Sequence, residues 1–273
     1  MTSTTHLLLA GTFSCLLMPL TACGASPTGS PSAAPSSPSA LPRGSEPAEL
    51  DPSEFTATSD HPYFPLEPGR QWTYRELDES GSEVTVVVTV SSETRTIANG
   101  VEASVVRDSV TEDGALIEDT LDWYAQDADG NVWYLGEDTA EFEDGELTTR
   151  AGSFEAGVDG ALPGIIMPAD PTVGMSYRQE YYRGEAEDNG EVLAVGQQSD
   201  VPVGHFDDVV VTADTITIEP DVLEFKLYAP GVGMVAALGI SGGGGREELV
   251  STRQVTDEIA RAAGTAPLGA PYM

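Results

Sequence analysis

An all-β fold, a strongly curved antiparallel meander of about ten strands forming a half-barrel or barrel-like sheet behind a disordered N-terminal tether, is what this 273-residue sequence predicts. Three observations carry that expectation. Apolar and polar residues alternate with period two in several runs, most clearly where Val84, Val86, Val88 and Val90 interleave with Thr85, Thr89 and Ser91. Turn dipeptides, Asn99-Gly100, Asp113-Gly114, Asp129-Gly130 and Asp144-Gly145, separate consecutive β-branched runs as hairpin turns do. Helical periodicity is short everywhere except over Asp257–Ala263, where Thr256 is placed to cap and Gly264 to terminate.

Taken in order, residues 1–22 read as a signal peptide. Leu7 to Ala22 is a 16-residue apolar stretch containing Pro19, short of the roughly 20 residues a membrane-spanning helix needs. Met1 to His6 has no Lys or Arg, a departure from the usual positive start of such signals. The stretch ends in Leu20-Thr21-Ala22-Cys23, which resembles a bacterial lipobox. That resemblance implies diacylglyceryl modification of Cys23 and cleavage before it. Residues 23–60 are expected to be a tether, because 21 of the 26 residues from Gly24 to Glu49 are Pro, Ser, Ala or Gly. Such a segment has too little apolar surface to offset its ordering entropy, and its polyproline rise gives a reach of roughly 80 Å.

Residues 61–255 carry the β domain. Strands are expected at Arg95–Ile97, Val101–Val110, Leu116–Tyr124, Asn131–Leu135, Glu146–Arg150, Ser176–Tyr182, Glu191–Val195, Asp208–Ile218, Leu223–Tyr228, Val232–Ile240 and Arg246–Val255. The stretch Ser153–Thr172 breaks the rhythm with six Gly and Pro residues, and its Ile165-Ile166-Met167 is expected to plug one end of the sheet. Residues 256–273 form a short helix and tail.

Charge limits the partners. There are 45 Asp and Glu against 12 Lys and Arg, Lys226 being the only lysine, for a net charge of -33. Such a chain repels nucleic-acid phosphates and anionic lipid headgroups, so no nucleic-acid partner is expected and the domain should stand off its membrane. The only cysteines are Cys15 and Cys23, which excludes disulfides, CxxC redox sites and cysteine-ligated zinc from the domain. Fourteen of the acids lie between Asp108 and Thr149, where there is no Lys or Arg. They read as one acidic face, suited to a cationic envelope protein or polymer, or to Ca²⁺. Within it Asp127, Asp129 and Asn131 offer the start of a calcium loop, without its remaining ligands.

Two strings widen the picture. His61-Pro62-Tyr63-Phe64-Pro65-Leu66-Glu67-Pro68-Gly69-Arg70-Gln71-Trp72-Thr73-Tyr74 resembles the YFPLxPGxxWxY opening of uncharacterised bacterial exported proteins, many with lipoprotein signals. Tyr228-Ala229-Pro230-Gly231-Val232-Gly233 resembles their YAPGVG turn, and Asp122–Asp127 with Gly130–Tyr134 also looks like that family. The resemblance covers about residues 61–251 and brings no established activity with it. More loosely, the chain is similar to lipoprotein carriers of the LolA and LppX kind, which implies a curved half-barrel and a hydrophobic cargo.

Catalysis is poorly provisioned. Gly239-Ile240-Ser241-Gly242-Gly243 matches a nucleophile elbow, but no histidine follows His205. Gly231-Val232-Gly233-Met234-Val235-Ala236 lacks the βαβ context of a dinucleotide loop. No catalytic residue and no cofactor is expected. Aromatics at strand spacing, Trp72, Tyr74, Trp123, Trp133 and Tyr181, are the candidate ligand-binding residues, one ring of each adjacent pair entering the core and the other lining a surface. The expected protein is a non-enzymatic lipoprotein, anchored through Cys23 at the extracytoplasmic face of the cell membrane, whose β domain binds a hydrophobic molecule. The alternative is an envelope protein that docks its partner through residues 108–149.

Overall fold

In a computed structural model, residues 41–77, 82–242 and 245–273 are described. The apolar leader, Cys23 and the first part of the expected tether lie outside them. Among the described residues, β1 (Phe55–Thr56), β2 (Arg70–Leu77), β3 (Glu83–Thr96), β4 (Glu102–Glu112), β5 (Ala115–Asp127), β6 (Val132–Glu143), β7 (Glu146–Thr149) and β8 (Phe154–Glu155) are followed by β9 (Leu162–Met167), β10 (Ser176–Arg178), β11 (Glu180–Tyr181), β12 (Asp188–Val201), β13 (Gly204–Ile216), β14 (Leu223–Ala229), β15 (Gly233–Ser241) and β16 (Arg246–Gln254), then by α1 (Asp257–Thr265). No described helix is long and apolar enough to cross a membrane.

The strands form one antiparallel sheet in the order β10-β12-β13-β14-β15-β16-β2-β3-β4-β5-β6-β9-β11. Its two ends belong to a single run of chain. Ser176–Arg178 pair with β12, and just beyond Gln179 the residues Glu180 and Tyr181 pair with β9. The sheet is therefore nearly closed into a barrel, which hides its edges better than the open half-barrel the resemblance implied. Two of the four turn dipeptides, Asp113-Gly114 and Asp144-Gly145, have positive φ at both positions, as a type I′ turn requires, whereas in Asn99-Gly100 and Asp129-Gly130 only the glycine does.

Two expectations are corrected. The tether boundary at residue 60 falls inside the packed domain. Leu41, Ala48, Leu50 and Phe55 pack against the core, and β1 pairs with β5. The buried Arg178 holds this segment, donating to Gly44 O (2.6 Å) and Glu46 O (2.7 Å) as well as to Pro163 O. Spaced apolar side chains and a buried guanidinium offset the ordering entropy that composition alone suggested would win. The Ile165-Ile166-Met167 stretch is no plug either: it lies in β9, paired with β6 and β11, with Ile165 and Met167 fully buried.

The helix α1 packs on the outside of β3 and β4 through Ala260 and Ala263, with Thr256 as its N-cap. Gly264 does not end it. A Cβ there would lie 2.3 Å from Ser91 Oγ, so this glycine permits close packing of helix on sheet. The helix end is fastened by Arg107, fully buried, which donates to Ala266 O (2.8 Å) and Pro267 O (3.1 Å) and pairs through two nitrogens with the equally buried Asp119.

Candidate cavity in the barrel

One end of the barrel is closed by the two strings that resembled a family, brought together from opposite ends of the chain. Gly231 N donates to Pro62 O (2.6 Å), Arg70 Nη2 to Gly231 O (2.6 Å), Trp72 Nε1 to Val232 O (2.8 Å) and Tyr74 Oη to Met234 O (3.0 Å). His61 is buried in the same closure. Its Nδ1 accepts from Tyr63 N, which leaves Nε2 to donate to Pro168 O at 3.0 Å, and burial holds its pKa below the usual value. This histidine is a structural tie in the neutral state.

Above that closure lies a cavity of about 320 Å³, walled by Phe64, Trp72, Tyr74, Val88, Val106, Tyr124, Tyr228 and Met234, with Asp108, Asp122, Glu224, Lys226 and Glu247 also facing it. A second, polar cavity of about 270 Å³ shares Asp108 and Asp122 and adds Glu118, Glu137 and Glu141. Along β5 the inward side chains thus change, with distance from the closed end, from Tyr124 through Asp122 and Thr120 to Glu118. The interior grades from aromatic to acidic.

Strand geometry explains which rings enter. Trp123 and Tyr124 point to opposite faces. A register shift between them, at Gly136 with φ +137°, sets Tyr134 directly opposite Tyr124, and the rings stack at 4.9 Å. A Cβ on Gly136 would come within 2.3 Å of Phe154 O, so the bulge needs glycine. Of the five aromatic candidates, Trp72 and Tyr74 line the cavity. Trp123 lies on a separate cleft under the Arg95 guanidinium, 3.9 Å from its ring centroid. Trp133 packs on Phe55 and donates to Asp127, and Tyr181 lies in β11 outside the cavity lining. Missed were Phe64, Tyr124 and Tyr228, together with the inward placement of acids that were expected to share one outer face.

The expected acidic face is corrected as well. Alternation along the strands sends Asp108, Glu118, Asp122, Glu137 and Glu141 inward, so the fourteen acids of residues 108–149 do not share one surface. The calcium candidates tie a hairpin. Asp127 accepts from Asn131 N (2.8 Å), Asn131 Nδ2 (2.9 Å) and Trp133 Nε1 (2.7 Å), Asn131 Oδ1 accepts from Ala169 N, and Asp129 is exposed at the turn. These three side chains do not converge as a cation's ligands would.

The inward carboxyls are strongly perturbed. Tyr134 Oη lies 2.7 Å from both Asp122 Oδ1 and Glu137 Oε2. A phenol donates one proton, so the second contact requires a protonated carboxyl donating to it. Burial, chiefly, pushes Asp122 up to about 7; burial and then the Asp122 charge push Glu137 to about 8. Burial also lifts Glu247 to about 8 and Asp188 to about 6, and holds Asp108 and Glu180 well above the carboxylate range. Lys226 stays charged, its Nζ 3.0 Å from Asp214 and 3.3 Å from Glu224. Elsewhere Ser241 donates to Asp221 O and the exposed His205 faces Asp200, so neither belongs to a nucleophile–base pair.

No family model and no curated protein matches the chain. Among solved structures, a crystal structure of a "putative lipoprotein" from Parabacteroides distasonis ATCC 8503 is similar over 71% of this chain and 99% of that one, at 14% identity and a TM-score of 0.42.

Proposed function

We propose that this chain is a membrane-anchored, extracytoplasmic lipoprotein, lipidated on Cys23, whose β-barrel is a non-catalytic binding domain for a small molecule with an apolar body. The observation that supports the reading best is the roughly 320 Å³ cavity with its aromatic walls. It lies at the lower end of the range for small-molecule pockets, about 300–1,000 Å³, which favours a compact occupant over a two-chain lipid. The Leu20–Cys23 string supports the anchor.

Native mass spectrometry of the soluble domain from residue 41 onward, purified without organic solvent, should show an added mass that denaturation releases. A bare polypeptide mass, with no quenching of Trp72 fluorescence by any small aromatic or aliphatic probe, would overturn the reading. Cys23→Ala should move the full chain from the membrane to the medium; retention at the membrane would refute the anchor.

A further inference from the structure

The inner wall places like charges directly opposite one another. Glu76 faces Glu247, Glu118 faces Glu141, and Asp122 faces Glu137 across adjacent strands. Cross-strand pairs of this kind destabilise a sheet unless something offsets them. The one lysine of the chain is paired with Asp214 and Glu224 and acts on Asp122 and Glu247 only through its charge across the cavity. At the point where the aromatic and acidic cavities meet stands Asp108, which lines both, while its Oδ1 is shut off from either and has no hydrogen-bond partner among the described residues. A buried, unpaired carboxyl oxygen is among the costlier things a fold can keep.

We propose that the occupant of the cavity is a small protonated amine with an aromatic or aliphatic body, its ammonium group donating to Asp108 beside Asp122 and Glu247 and its body lying against Trp72, Tyr74 and Tyr124. This rests on reading the cavity as a ligand site and names the chemistry of that ligand. A neutral apolar molecule would cover the acids at this junction without giving them a donor, and an anion would meet acids on most sides, the Lys226 cation on the wall being already paired with Asp214 and Glu224. A metal ion suits the site poorly. Among the described residues no three His, Cys, Asp or Glu side chains converge on one point, whereas a hard cation such as Ca²⁺ wants about six to eight oxygens. An amine uses both halves of the interior. Its N–H groups satisfy carboxyl oxygens, and its apolar body lies against the aromatic wall formed by Trp72, Tyr74 and Tyr124. Burial and the surrounding acids hold the Asp108 carboxyl well above its ordinary pKa, so a bound ammonium would also take the place of a proton there.

The experiment is a thermal-shift and calorimetric comparison on the soluble domain from residue 41 onward. The probes are 2-phenylethylamine and hexylamine, their hydroxyl isosteres 2-phenylethanol and hexanol, putrescine and calcium chloride. At least one monoamine should bind at millimolar concentration or below, at least about tenfold more tightly than its hydroxyl isostere, or about 1.4 kcal/mol. Asp108→Asn should remove that preference while leaving a cooperative melt, and Glu247→Gln should weaken amine binding less. Equal binding of amine and alcohol, or unchanged amine binding in Asp108→Asn, would overturn the amine assignment and leave the cavity reading standing. Calcium binding without amine binding would overturn it too. If no probe binds and the native mass is bare, both readings fall together.

Discussion

Arg107 and Asp108 are neighbours on β4, yet the two faces of the strand treat buried charge in opposite ways. Outside, Arg107 meets Asp119 through two nitrogens and takes three carbonyls at the end of α1. Inside, Asp108 has a buried oxygen with no partner and lies among acids. Arg178 repeats the outer pattern, its buried guanidinium shared among three carbonyls. A fully satisfied buried charge fastens an element to the barrel. An unsatisfied carboxyl oxygen beside a cavity marks a place where stability has been given up, and such places cluster at functional sites.

The largest effect that tests this contrast is on the outside. Arg107→Ala leaves Asp119 buried without its partner and frees the end of α1, and should cost about 3–5 kcal/mol in urea unfolding. A loss no larger than that of a typical surface substitution would show that the outer pair is not the fastening described. The next effect is the pH dependence of the inside. The pKa values of Asp122, Glu137, Asp188 and Glu247 are raised by folding, so their contribution is complete below the ordinary carboxylate pKa and is lost as pH rises through about 6 to 8. The buried His61, whose pKa is lowered, works the other way and penalises acid conditions, but it is one group against four. The melting temperature of the ligand-free domain should therefore fall between about pH 5 and pH 9. A melting temperature that is flat or rises over that range would contradict the inward placement of these carboxyls. The smallest effect is that of Glu137→Gln, which should stabilise the domain by on the order of 1 kcal/mol at pH 9 and change little at pH 4. Stabilisation of equal size at both pH values would mean that charge is not the cause.

Much of the framework is legible in the sequence. The valine alternation of β3, the Asx-Gly turns and the Thr256 cap are local signals, each fixed by the backbone conformation its residues prefer. Part of the cavity was legible for the same reason: Trp72 and Tyr74 sit two residues apart and necessarily share a face. Trp123-Tyr124 and Trp133-Tyr134 show where that reasoning stops. Adjacent residues face opposite ways, and nothing local says which of them faces in. The Gly136 bulge then shifts the register, placing Tyr134 rather than its neighbour opposite Tyr124.

Sequence by itself determined an antiparallel β domain of strongly negative charge, preceded by an apolar stretch from Leu7 to Ala22 and then Cys23. Only the tertiary structure decided that the domain begins by residue 41, that two motifs from its opposite ends close one end of the barrel, and that the acids between Asp108 and Thr149 divide between its faces. The physical reason is parity. A strand specifies two faces at every step, but which of them becomes the interior is settled only when the sheet curls and its ends meet, at the segment from Ser176 to Tyr181.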